Sequence, residues 1–127
     1  MILRYLTGEP EEMAQRARQL LLDVDAGRLE VLLEDVVVAE IVWTLSSFYK
    51  KSRAEVAALL EPIVGLPGML NPNKAAVLDA LALSGDLNID FADALLAAKA
   101  LAGVDKRVCS FDRDFERIPG VARIEPG

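Results

Sequence analysis

Three acidic side chains interrupt otherwise apolar stretches of this chain. Glu40 lies in Val36-Val37-Val38-Ala39-Glu40-Ile41-Val42-Trp43, Asp93 in Phe91-Ala92-Asp93-Ala94-Leu95-Leu96, and Asp112 follows Val108-Cys109-Ser110-Phe111. A carboxylate drawn out of water costs several kcal/mol unless it is paired, hydrogen-bonded or bound to a cation. The chain has no histidine and a single cysteine. Three such carboxylates without nitrogen or sulfur ligands point to oxygen chemistry around a hard divalent ion, Mg²⁺ or Mn²⁺ first.

Each carboxylate also has a plainer reading. Glu40, Thr44 and Ser47 stand at i, i+4 and i+7, so they form either the solvated stripe of an amphipathic helix or one wall of a cleft. In the cleft reading Glu40 is a metal ligand and Thr44 a hydroxyl beside it. Asp93 has only Lys99 as a polar companion within residues 91–102, and six residues of separation keep the two off a common helix face. Asp90, three residues earlier, does share the face of Asp93; the pair is either a first-turn dipole arrangement or a two-carboxylate edge. Asp112 ends an expected strand and precedes a helical turn, where an N-cap is the ordinary role. A ligand position is the other reading, because crevices of open parallel sheets lie beyond the carboxyl ends of the strands. Ser110 projects to the same side as Asp112 by the two-residue period. Asp114 is either a further ligand or a solvent-facing charge.

The elements that must position these groups alternate without a linker, a low-complexity tract or an internal repeat, and 127 residues with 53% hydrophobic content fit one domain spanning 1–127. Pro10, Glu11 and Glu12 open a helix running to Asp25, with Gly27 as its stop. Leu29 to Leu33 reads as a strand, Asp35 to about Lys50 as a helix, and Ser52 with Glu55 as the capping box of a helix reaching Pro62 to Pro67. Lys74 to Ser84 is expected to be helical and closed by Gly85-Asp86, and Asp90 to Ala102 forms a helix of mostly Ala and Leu. Arg107 to Phe111 is a strand, Arg113 to Arg117 a helical turn and Val121 to Ile124 a last strand. The expected fold class is α/β, a small parallel sheet flanked by helices.

Composition excludes several classes. No apolar run approaches the roughly 20 residues that span a bilayer, so no membrane role is expected. The lone Cys109 gives no internal disulfide, and no leader pattern opens the chain, which suits a reducing cytoplasm. Twenty acidic against fourteen basic residues give a net charge of −6, which opposes broad adhesion to nucleic acid while leaving room for a local, metal-assisted site.

Four segments in order carry a resemblance: Leu3-Arg4-Tyr5-Leu6-Thr7-Gly8-Glu9-Pro10, Val38-Ala39-Glu40-Ile41-Val42-Trp43-Thr44-Leu45, Asp90-Phe91-Ala92-Asp93-Ala94-Leu95, and Ser110-Phe111-Asp112-Arg113-Asp114-Phe115. Together they resemble a PIN domain, in particular the small single-domain ribonuclease toxins of the VapC type. The resemblance implies a three-layer fold and an Mg²⁺- or Mn²⁺-dependent endoribonuclease. Its acidic positions fall on Glu40, Asp93 and Asp112, with Asp90 and Asp114 as further metal contacts and Thr44 and Ser110 as supporting hydroxyls. It also implies an RNA substrate, a cognate antitoxin whose basic tail crosses the acidic cleft, and a homodimer. The basic residues Lys50, Lys51, Arg53, Lys106, Arg107, Arg113 and Arg117 are candidates for steering an RNA backbone.

One part of the pattern is missing. PIN domains open with a central strand ending in an acidic motif of the type Asp-Thr-Asn, and Met1 stands where that motif finishes. The expectation is therefore a sheet with its central first strand truncated and a site one ligand short, from an upstream start or a degraded copy. Weaker metal affinity follows, as does a rival function, a PIN-like module that binds an antitoxin without cleaving RNA. A receiver-like phosphoacceptor is a further rival, disfavoured because Asp93 and Glu40 are expected on helices.

Overall fold

Ser52 and Glu55 close a reciprocal cap in the computed structural model, which describes residues 1–103 and 106–126. The Ser52 hydroxyl accepts from the Glu55 amide at 3.2 Å, and the Glu55 carboxylate accepts from the Ser52 amide at 3.1 Å. Two orphan amides of a helix start are thereby satisfied, as the sequence requires.

The elements run α1 (Ile2–Thr7), α2 (Glu11–Asp25), β1 (Val31–Leu32), α3 (Asp35–Ser47), α4 (Arg53–Val64), β2 (Met69–Leu70), α5 (Lys74–Leu87), α6 (Phe91–Ala102), β3 (Arg107–Cys109), a 3-10 turn (Arg113–Arg117) and β4 (Ala122–Ile124). Helix α1 and strand β2 are additions to the sequence reading. The strand expected at Leu29 to Leu33 is shorter, and α3 ends at Ser47 rather than Lys50.

The expected stop at Gly85-Asp86 is corrected: α5 continues to Leu87 and ends at Asn88, whose backbone is left-handed at φ 54° and ψ 51°. Gly85 is there for packing. A Cβ on it would stand 3.0 Å from the Ala57 Cβ and 3.5 Å from the Ala54 Cα. Glycine thus lets α5 lie directly against α4, and Asn, which tolerates the left-handed region, does the stopping.

The sheet is in two halves. β1 pairs parallel with β2, matching Val31 to Met69 and Leu32 to Leu70. β3 pairs parallel with β4, matching Arg107 to Ala122, Val108 to Arg123 and Cys109 to Ile124. Among the described residues no strand joins the halves, and both are small parallel pairs, as an α/β fold requires. At the end of β1, Asn71 donates to the Leu33 carbonyl at 2.8 Å.

Two apolar clusters result. The larger gathers Leu21 and Val24 of α2, Val38 and Leu45 of α3, Leu60 of α4, Val77 and Leu81 of α5, and Phe91, Ala94 and Ala98 of α6. The smaller holds Ile89, Ala97, Val108, Phe115 and Ile118. Helix α6 contributes to both, and Leu83 packs against both. Among the described residues no helix is long and apolar enough to cross a membrane.

Candidate active site

Helix α6 begins at an acidic cap. Asp90 is the N-cap, and its carboxylate accepts from the Ala92 amide at 3.2 Å. The helix buries Phe91, Ala94, Ala97 and Ala98. Asp93 sits in the first turn, partly buried, on the edge between the buried face and solvent. The plain reading of the Asp90–Asp93 pair is therefore realised, since both acids lie at the positive end of the helix dipole, and Asp90 caps the helix as well.

The loop after β3 supplies the second half of the site. The Asp112 amide donates to the Ser110 hydroxyl at 3.0 Å, and the Asp114 amide donates to Asp112 Oδ1 at 2.8 Å. Asp112 is thus the N-cap of the 3-10 turn. Arg123 fixes the loop from below. Its Nη1 donates to the Ser110 carbonyl at 3.0 Å, while Nε and Nη2 reach Glu116 Oε1 at 3.0 and 2.8 Å. Arg117 pairs with Asp114 at 3.4 Å and donates to the Leu87 carbonyl, so it ties this loop to the end of α5. These links were not legible in advance: Arg117 stood as a candidate for steering an RNA backbone, and Arg123 gave no signal of its own.

The two halves meet at Asp93. Burial pushes its carboxyl above the usual carboxylate range, and the negative charges of Asp112, Asp90 and Asp114 push it further in the same direction. A hydrogen bond between the Asp93 and Asp112 side chains contributes as well. The charge of Asp112 and its hydrogen-bonding side chain both favour the protonated form of Asp93. Three of the acidic residues singled out in the sequence thus act on a fourth.

Glu40 is not among the charges that act on Asp93. It is exposed on α3, in a shallow hollow with Val36, Ala39, Trp43 and Thr44. The Thr44 hydroxyl donates to the Glu40 backbone carbonyl at 2.8 Å, the back-bonding common for a helical threonine. Among the described residues no three acidic, histidine or cysteine side chains are gathered into a ready-made metal cage.

A residue that sequence reasoning passed over ties the acid-bearing helix to its neighbours. Asp35 accepts from Lys99 Nζ at 2.5 Å and from Asn71 Nδ2 at 2.7 Å. Burial raises the Asp35 carboxyl, but the Lys99 and Asn71 hydrogen bonds outweigh it and hold the group below the usual carboxylate range. Lys99 thereby pins α6 to the start of α3 and to the segment after β2. The one available signal was Lys99 itself, a lone cation on an apolar helix.

A family model described as PIN domain matches residues 1–121. A search of the curated proteins finds none that matches the chain.

Proposed function

Because the chain belongs to the PIN domain family, the mark of a nuclease, we propose that it is an Mg²⁺- or Mn²⁺-dependent endoribonuclease of the VapC toxin type. In this reading residues 1–127 form one domain that works in the cytoplasm as a homodimer, cuts RNA phosphodiester bonds and is neutralised by a cognate antitoxin. The observation that supports it best is the gathering of Asp112, Asp90 and Asp114 around the partly buried Asp93, whose carboxyl is pushed above the usual carboxylate range by burial and by these charges. Folding has gathered negative charge at the junction of α6 and the β3 loop, and a divalent ion is the natural counter-charge.

The donor set fits such an ion. It consists of carboxylate oxygens, and hydrated Mg²⁺ needs only one or two of them because it keeps several waters and takes the rest of its contacts from phosphate. Asp93 and Asp112 would hold it, with Asp90 and Asp114 alongside and Glu40, on the α3 helix that packs on α6, as a further candidate. When bound, the ion supplies Lewis acidity, lowering the pKa of a coordinated water and offsetting charge on phosphate oxygens. The chain's own part is to position and to release. Ser110 holds the Asp112 amide, Arg123 holds the Ser110 carbonyl, and a positive charge at the site would favour the ionised form of Asp93. Thr44, with its hydroxyl oxygen next to Glu40, and Ser110 are placed to accept from a coordinated water.

A basic antitoxin tail is electrostatically matched to this acidic junction. The same body without cleavage, a module that only captures an antitoxin, is favoured by the lack of a three-acid cage among the described residues. Incubating the protein with single-stranded RNA and Mn²⁺ decides between them. Cleavage that EDTA stops and Asp93→Asn abolishes supports the nuclease; intact RNA under every metal, with an acidic cleft that still binds a basic tail, leaves the module.

A further inference from the structure

Beside the acidic junction lies a second cleft, of about 400 Å³, between α3, the start of α4 and the ends of α5 and α6. That volume is within the roughly 300–1,000 Å³ of small-molecule sites. Its walls include Trp43, Ser46 and Ser47 of α3, Arg53 of α4 and Asp90 at the head of α6, over a floor of buried Phe91. Trp43 is 68% exposed, an unusual position for the largest apolar side chain. Arg53 is anchored, its Nη1 donating to the Asn88 carbonyl at 2.6 Å, so its planar cation is held in place before any ligand arrives. Asp90 belongs to both sites, because it lines this cleft and stands three residues before Asp93 on the same helix.

We propose that this cleft is a nucleotide subsite for single-stranded RNA, in which one unpaired base stacks on the Trp43 indole, the Arg53 guanidinium meets the adjoining phosphate, and the Ser46 and Ser47 hydroxyls contact sugar or base edges. The proposal rests on the nuclease reading for its substrate class. An exposed aromatic face and a fixed cation are the two parts that sequence-tolerant binding of single strands uses. Its continuity with Asp90 places the stacked nucleotide next to the one at the Asp93–Asp112 pair.

Trp43 is the only tryptophan, so its emission reports on the cleft directly. With EDTA present to prevent cleavage, a single-stranded RNA of about ten nucleotides titrated into the full chain quenches that emission saturably. In anisotropy with the same RNA carrying a dye, Trp43→Ala weakens binding roughly 5- to 100-fold while Trp43→Phe stays close to the parent. Both variants melt with the parent protein, since the side chain is mostly exposed. Unquenched emission together with undiminished binding by Trp43→Ala overturns the proposal, as does an absence of RNA binding. So does a Trp43→Ala chain that turns from dimer to monomer in sedimentation with RNA affinity unchanged, which assigns the indole to a second copy. Quenching without cleavage under Mn²⁺ leaves the subsite standing and removes the nuclease; cleavage that Trp43→Ala does not alter does the reverse.

Discussion

Replacing Asp93 by Asn tests the electrostatics of the acidic junction without disturbing its shape. Asn has the outline of a protonated Asp and can still donate to Asp112. What changes is the charge. Two unit charges about 4 Å apart repel by about 1 kcal/mol in water and about 4 kcal/mol at an effective dielectric of 20. Asp112 is exposed and Asp93 only partly buried, so the lower end applies, about 1 kcal/mol. The folded-state pKa of Asp93 is raised above its unfolded value, chiefly by burial and then by Asp112, Asp90 and Asp114. The native state therefore holds a proton that the unfolded state has lost, and stability present at low pH falls as pH rises through the raised value. In EDTA at pH 8, Asp93→Asn should melt about 2–6 °C above the parent protein. Toward lower pH, as the parent takes up the proton, the difference should shrink and vanish. Millimolar Mn²⁺ should raise the parent's Tm at pH 8 more than at pH 5, and should raise that of Asp93→Asn much less. Scanning calorimetry across pH, with and without metal, measures all of this. A variant less stable than the parent by the same amount at every pH would refute the reasoning, because it would make Asp93 an ordinary structural hydrogen-bonding group.

Other perturbations have definite outcomes. Asn71→Ala removes the donors to Asp35 and to the Leu33 carbonyl and should cost about 1–3 kcal/mol in chemical denaturation. Asp35 is held below its usual pKa of 3.8, so its contribution is present above that value and lost as pH falls through the lower folded-state value; an Asp35→Asn chain should show a shallower loss of stability in acid titration. Gly68→Ala should unfold the protein or cost more than about 3 kcal/mol, because the new Cβ would lie 2.2 Å from the Leu29 carbonyl oxygen and 2.7 Å from that of Val24; circular dichroism of the purified variant decides it. Ser52→Ala opens the reciprocal cap of α4 and should lower stability by about 1 kcal/mol.

Local chemistry was legible in the sequence where a few neighbouring residues determine the outcome. Ser52 and Glu55 announced their helix because a capping box needs only four consecutive positions. Asp112 offered an N-cap as its ordinary role for the same reason, and it is one. Signals that depend on distant partners were not legible. Gly85 looks like a stop until Ala54 and Ala57 are set against it, and then it is a contact. β2 is two residues long, too short for any alternation, and exists because β1 offers it a ladder. Asp35, Asn71 and Lys99 are separated by 36 and 64 positions along the chain, so no spacing betrays their link. Of the acids, Asp93 stood out because its helix is otherwise apolar, which correctly flagged a perturbed carboxyl. Glu40 looked equivalent, yet its place on an exposed face of α3 follows from how α3 packs, and no pattern local to Glu40 encodes that.

The divided interior has a kinetic consequence. Asp112 and Asp114 ride on the small cluster around Val108, Phe115 and Ile118, whereas Asp93 is borne by α6, whose Ala94 and Ala98 belong to the large one. A minor apolar cluster opens far more often than a major one, through excursions that leave the rest of the molecule intact. Each such excursion carries the β3 loop away from α6 and dismantles the carboxylate pair, while the bulk of the protein still looks native to a spectrometer. Amide exchange should therefore be fastest from Val108 through Ile118, and a protease clipping that stretch would disarm the chain long before it melted.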